Sequence, residues 1–336
     1  MAGGVIGGAA ALPLITLSEL VRRLADPAVP EKSVTPYLKV KQDRDEGHLA
    51  PTLLPNEYVI NDAASSTRSQ ANIALGYLNQ VYRGRRRRLF EERLADGGGG
   101  PVLVAEGDSW FEYPAFIDDV IDHLNKRFNV LCLSSAGDEL RTMVAQPEYS
   151  EYLDMLDARG VKARAFLFSG GGNDIVGNQL YSLLKDYNEN KSPEWHFDTP
   201  EWKANFEAIA SGYRSLLTTI RAKYPQLPIL VHGYDYGNPL PQQPFRLPPL
   251  DGWLGAPMRR RNIPDGPPQK QIAHAMISAF NALLIKVAAE FPRVRYVNNL
   301  NSLTGQWYDE LHGTSVGFRR VAKNFITALE QEGVTP

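Results

Sequence analysis

From Pro101 onward the hydrophobic positions fall into short unbroken runs, separated by stretches where they recur every three or four residues. Val102-Leu103-Val104-Ala105, Val130-Leu131-Cys132-Leu133, Ala165-Phe166-Leu167-Phe168, Ile229-Leu230-Val231 and Val294-Arg295-Tyr296-Val297 have the length and composition of buried strands. Between them, Pro114 opens a segment in which Phe116, Ile117, Val120, Ile121 and Leu124 keep helical spacing. Thr199-Pro200 marks the start of a long helix carrying Phe206, Ile209, Tyr213, Leu216, Leu217 and Ile220 on one side, and residues 316–330 read as a closing helix. Strand–helix alternation predicts an α/β fold, a five-stranded parallel sheet with helices on both faces in three α/β/α layers. Ligands of such sheets bind outside the carboxyl ends of the strands, so the residues just after each run are the first to inspect.

The first hundred residues follow another pattern. Thr16-Leu17-Ser18-Glu19 is a capping box that opens a short helix through Leu24. Asp26 to Pro55 shows no sustained period, and Ala63 to Leu94 reads as a helix containing the basic cluster Arg83 and Arg85–Arg88. Gly97-Gly98-Gly99-Gly100 cannot easily hold regular structure. The chain therefore divides into a mostly helical N-terminal extension, 1–96, and an α/β domain, 101–336. Within the latter, 234–268 carries nine of the chain's 24 prolines and reads as a long insertion, of the size of a binding loop.

Composition narrows the classes. Among 336 residues, 36 Lys and Arg face 38 Asp and Glu, a formal charge of −2, which gives no basis for a chain-wide nucleic-acid binder. The arginine cluster could meet phosphates, but it reads first as a solvated helix face. Cys132, the one cysteine, excludes a disulfide framework or multi-Cys zinc site and lies in an apolar strand as inert core. No unbroken apolar run reaches the roughly 18 residues of a membrane span. No Lys or Arg precedes Arg22, so the apolar start lacks the basic region of a secretory signal, and the expectation is a cytoplasmic protein.

The strand ends carry the chemistry. Glu106-Gly107-Asp108-Ser109-Trp110 puts a serine at a strand-to-helix turn, where backbone N–H groups favour developing negative charge. Ser134-Ser135-Ala136-Gly137-Asp138 offers a glycine whose backbone can approach a ligand, and Ser169-Gly170-Gly171-Gly172-Asn173-Asp174 sets an amide after three glycines. Asp309-Glu310-Leu311-His312 places a carboxylate three residues before an imidazole that could serve as general base. A second Asp-x-x-His, Asp45 to His48, lies outside the sheet pattern and reads as an exposed polar turn. His123, His196, His232 and His274 keep no metal-ligand spacing, so no metal is expected; His232, at the end of the fourth strand, is a possible substrate contact.

Together these segments resemble the blocks of the SGNH hydrolase (GDSL esterase/lipase) superfamily. Gly107-Asp108-Ser109 matches its first block, Gly137 its second, Gly171-Gly172-Asn173-Asp174 its third and Asp309-Glu310-Leu311-His312 its last, with Gly317 following. The resemblance spans 101 to about 332 and leaves the first hundred residues unassigned. It implies a flavodoxin-like fold with Ser109 as nucleophile, His312 as base and Asp309 orienting it. The oxyanion hole would be the N–H groups of Ser109 and Gly137 and the Asn173 amide, with no cofactor. Trp110 departs from the pattern, which usually has Leu there. Asp108 and Asp174 are expected to brace the catalytic loops. Trp110, His232, Tyr234 and Trp253 are the candidate substrate contacts; Tyr236, Phe245 and Arg259–Arg261 of the insertion could bind substrate or pin the loop. The expected activity is hydrolysis of a small-molecule, lipid or sugar ester, with acyl transfer to another acceptor as the variant within the same machinery. A competing expectation is an interaction or nucleic-acid-binding protein led by the N-terminal basic helix.

Overall fold

Thr16 opens the first helix as its sequence predicts. Its hydroxyl accepts the Glu19 N–H at 3.1 Å, satisfying one of the unpaired donors of α1, Leu17–Ala25, which buries Leu20 and Leu24. The structure is a computed structural model and describes residues 12–42, 51–56, 58–60, 68–241 and 252–336. Asp45, His48 and Phe245 lie outside the described residues. The stretch without a sequence period holds a short helix α2, Glu31–Val34, a 3₁₀ turn, and strands β1, Leu38–Gln42, and β2, Pro51–Pro55, which form a two-stranded sheet. Helix α3 then runs from Arg68 to Ala95.

Chain contacts divide the protein into two units: Met1–Lys41 with Thr52–Arg85, and Gln42–Pro51 with Arg86–Pro336. The division falls inside α3, ahead of the glycine run. The arginine cluster on that helix is not the solvated face expected of it, because Arg85 and Arg86 are both buried. In the first unit, Arg85 donates to the carbonyls of Asp26 and Val29. In the second, Arg86 pairs with Asp119 at 2.7 Å and Asp122 at 2.6 Å and donates to the Phe111 carbonyl at 2.8 Å. Arg87 lies over the Tyr152 ring and bonds its hydroxyl at 2.8 Å. Arg85 and Arg86 thus spend their guanidinium groups on buried partners, whereas Arg87 is half-buried and Arg88 exposed.

The second unit holds the five predicted strands: β3, Val102–Gly107; β4, Asn129–Cys132; β5, Ala165–Ser169; β6, Ile229–His232; and β7, Val294–Val297. All pair in parallel in the order β4-β3-β5-β6-β7. Every residue of β3, β4, β5 and β6 is buried, as unbroken apolar runs require when helices cover both faces. Among the described residues, seven helices connect these strands. They are α4, Val120–Leu124; α5, Leu140–Ala145; α6, Glu148–Ala158; α7, Asn178–Leu183; α8, Pro200–Lys223; α9, Gly255–Arg260; and α10, Pro267–Ala289. The closing helix is α11, Ser315–Gln331. Helices α4 and α11 pack together, while α8 packs with α5 and α10, giving the outer layers.

Two details differ from expectation. The helix expected from Pro114 begins only at Val120, because Ala115 takes a left-handed φ of 64° and the Asp119 carboxylate captures the N–H groups of Ile121 and Asp122. Helix α10 is long and apolar enough by composition to cross a bilayer. Its Ile272, Met276, Phe280, Leu284 and Val287 lie in the buried core, which is where its apolar character is spent. Since β3 lies between β4 and β5, the crossovers from β3 to β4 and from β4 to β5 run in opposite directions across the sheet, and the carboxyl ends at such a reversal are where these folds bind ligands.

Candidate active site

The register of the central strands builds the nucleophile side. Gly107 pairs with Ser169, and a Cβ at 107 would lie 2.5 Å from the Ser169 carbonyl oxygen, so only glycine lets the strands meet there. The chain then turns: Asp108 N–H donates to Ser169 O at 3.1 Å, and the N–H groups of Phe111 and Glu112 return to Asp108 O. Asp108 is a brace, as expected. Its Oδ1 accepts Trp110 N–H at 3.1 Å and the Ser169 hydroxyl at 2.7 Å, and its Oδ2 accepts the Tyr234 hydroxyl.

Ser109, 6% exposed, has its Oγ 2.7 Å from Nε2 of His312. Nδ1 of His312 lies 2.8 and 3.0 Å from the two carboxylate oxygens of Asp309, and Asp309 Oδ1 also accepts the N–H groups of Leu311 and His312, each at 2.8 Å. Burial acts to raise the pKa of Asp309. The His312 charge, its Nδ1 hydrogen bond and the two backbone donors outweigh that and hold the carboxyl below its ordinary value. Tyr113 and Trp253 meet the imidazole edge-to-face, at 4.8 and 5.5 Å between ring centres.

Asn173 follows β5 and donates from Nδ2 to the Asp138 carbonyl at 2.9 Å, which uses one of its two amide protons. The turn containing Gly137, at a φ of 84°, is thereby tied to the Asn173 turn. Gly137 does not line the cavity described below. Asp174 accepts Leu140 N–H at 3.0 Å, the first donor of α5. Burial raises its pKa to about 6 against that hydrogen bond.

His232 is fully buried beneath Trp110, with ring centres 5.4 Å apart, and does not line the cavity. Burial lowers its pKa, against the Gly233 hydrogen bond and the Asp108 charge. Nε2 of His232 lies 2.8 Å from Ser169 Oγ, whose hydroxyl donates to Asp108. Its Nδ1 lies 3.0 Å from the Gly233 carbonyl oxygen and 3.2 Å from Asn299 Nδ2, which also donates to that carbonyl. The residue is part of an interior relay ending at Asp108.

Ser109, Asn173 and His312 open into a small pocket of about 50 Å³ that Trp110 and Tyr234 also line. Ile175, Val176, Leu254, Met276 and Ile277 supply apolar wall. Asp235 lines it too, but its carboxylate is occupied by the N–H groups of Tyr236, Asn301 and Leu303 at 2.6–2.7 Å. Trp253 touches His312 rather than the cavity, while its neighbour Leu254 forms wall. The arginines of the insertion pin the chain: Arg259 donates to Leu240 O, and Arg260 and Arg261 lie on the Tyr181 ring. Tyr236 stacks on His274 with ring centres 4.1 Å apart. No group of three His, Cys, Asp or Glu side chains among the described residues could hold a metal.

Sequence reasoning passed over two contributors. Tyr113 and Glu310 carried no spacing signal that marks a partner remote in the chain. Trp110, a departure from the pattern and a candidate substrate contact, also has a structural part. Its indole N–H donates to Leu311 O at 3.2 Å, so the bulky ring ties the nucleophile turn to the histidine turn, which leucine cannot do.

No protein-family model and no curated protein sequence matches the chain significantly. Solved structures do. A lipase, Lip_vut3, from a goat rumen metagenome is 16% identical, with 70% of this chain and 98% of that one covered at a TM-score of 0.45. A carbohydrate esterase family 3 protein from Talaromyces cellulolyticus is 12% identical, covering 69% and 97% at 0.39. A salicylyl-acyltransferase from a tetracycline biosynthetic pathway is 14% identical, covering 71% and 56% at 0.40. What this chain has in common with the SGNH hydrolase pattern is its own four sequence blocks, set on a five-stranded parallel sheet that gathers Ser109, Asn173 and His312 at one edge.

Proposed function

We propose that the protein is a carboxylic ester hydrolase that works through an acyl-enzyme on Ser109. The observation that carries this reading is the unbroken hydrogen-bonded series from Asp309 through His312 to Ser109 Oγ, opening into an apolar pocket. Nε2 of His312 takes the Oγ proton as Oγ attacks the ester carbonyl carbon, and Asp309 supports the imidazolium that results. The oxyanion is received by the backbone N–H of Ser109 and the remaining amide proton of Asn173, the two donors of the expected set that line the pocket. Such donors are commonly worth about 3 kcal/mol each in the transition state. His312 then returns its proton to the departing alcohol. Water, deprotonated by the same nitrogen, attacks the acyl carbon and frees Ser109. The scheme needs no metal or cofactor.

The apolar wall favours an uncharged, hydrophobic portion of the ester, since the one acidic side chain on it beyond the catalytic turns, Asp235, has its charge taken up by backbone donors. The test is Ser109→Ala against a chain-length series of p-nitrophenyl esters. The expected result is a fall in kcat of about 10³-fold or more with an unchanged melting temperature. Full activity in that variant would end the proposal. Adding an alcohol acceptor to the wild-type reaction reads whether the acyl group leaves to water alone.

A further inference from the structure

Glu310 stands inside the Asp309–His312 turn, yet its side chain takes no part in the proton relay. Its carboxylate is 1% exposed and is received by backbone of the long segment between β6 and α10. Oε1 accepts the N–H groups of Leu240 at 2.8 Å and Gly255 at 3.0 Å, and Oε2 accepts that of Leu254 at 2.8 Å. The main chain repeats the attachment, with Asn238 N–H donating to Glu310 O at 2.9 Å. Two glycines make room: a Cβ at 252 would lie 1.8 Å from Oε2, and one at 255 would lie 2.9 Å from Oε1. A buried carboxylate is costly unless its lone pairs are matched, and here three converging donors match them.

What the carboxylate grips also faces the substrate. Leu254 and Gly237 line the cavity, and Trp253, the residue before Leu254, lies edge-on to His312. We propose that Glu310 is a positioning residue that fastens the Leu254 wall of the pocket to the turn carrying His312. Substrate selectivity and histidine placement are then set by one attachment. The inference rests on the ester-hydrolase reading for its kinetic consequence, but the attachment itself can be read without activity.

Glu310→Gln is the informative change. It keeps the volume and one acceptor oxygen, but turns an NH₂ group toward the Leu254 N–H, donor against donor. Amide hydrogen exchange at Leu240, Leu254 and Gly255 is expected to quicken at least tenfold in the variant, while amides in β3 and β5 keep their protection. Unchanged exchange at these three amides would overturn the attachment, whatever the enzyme does. In kinetics, KM for hexanoyl relative to acetyl p-nitrophenyl ester should rise about tenfold, with kcat for the acetyl ester falling less. An equal fall in kcat for both esters, with KM unchanged, would overturn the link to the pocket wall. Leu254→Ala, which leaves Glu310 intact, should reproduce the selectivity change; retention of wild-type selectivity there would also overturn it. Should the wild-type protein hydrolyse no ester, the function falls, and the exchange measurement still decides for or against the attachment.

Discussion

Ser109 and His312 are bonded to each other, yet they are held in place by different means. The serine side follows adjacent central strands, and its turn is braced by side chains: Asp108, Ser169, His232 and Tyr234 bond one another beneath it. The histidine side lies in irregular chain between β7 and α11, and its braces are backbone N–H groups donated to two consecutive carboxylates. Those neighbours behave oppositely. Asp309 faces an imidazole and is held below its ordinary pKa despite burial. Glu310 faces only neutral donors, and burial raises it in spite of them. A strand end inherits its geometry from sheet register, whereas an irregular turn must collect its donors with acidic side chains. Damage to the first should therefore be graded and local, and damage to the second abrupt.

The largest effect expected from that contrast is at Asp309. Asp309→Asn would present an amide to Nδ1 and favour the wrong imidazole tautomer, so kcat should fall about 10⁴-fold with KM nearly unchanged. Tyr234→Phe removes one hydroxyl from the braced side, where Tyr234 donates to Asp108 and accepts Gly172 N–H at 3.3 Å. Loss of such a bond is worth about 1.5 kcal/mol, or roughly tenfold in kcat. If the tyrosine variant proved as inactive as the asparagine one, the two sides would not differ in the manner argued. The smallest effect concerns Asp174, whose pKa is about 6 in the folded protein against 3.8 for an unperturbed aspartate. Between those values the native state holds a proton that the unfolded chain has lost. This group's contribution to stability is therefore fully present below pH about 4 and declines as pH rises toward 6. Asp174→Asn should flatten that part of the stability–pH curve, as read by melting temperature in buffers across the window.

Much of this was legible in the chain. The five apolar runs became the five strands, and the chemistry placed after them converged because parallel sheets align their carboxyl ends. Ser109, Asn173 and His312 could be picked out since each lies within a few residues of a strand or a capped helix. What escaped were partners far apart in sequence. Arg86 looked like part of a solvated face because Asp119, its ion-pair partner, comes 33 residues later. His232 looked like a substrate contact because nothing local shows that Ser169, 63 residues away, occupies its Nε2. Glu310 spoke to no periodicity at all, its three donors being 55 to 70 residues upstream.

Helix α3 bears on how the protein could be shortened. The glycine run after it invites a cut at Pro101, and all four sequence blocks would survive that cut. Arg86 would not. Asp119 and Asp122 would be left side by side without their cation, one of them wholly buried, and loss of a buried ion-pair partner typically costs about 3–5 kcal/mol. Since Asp119 also holds Tyr113 N–H at 2.9 Å, and the Tyr113 ring lies against His312, the harm would travel to the imidazole. The smallest autonomous piece of this protein thus begins upstream of its apparent linker, with the last turns of a helix that holds none of the catalytic groups.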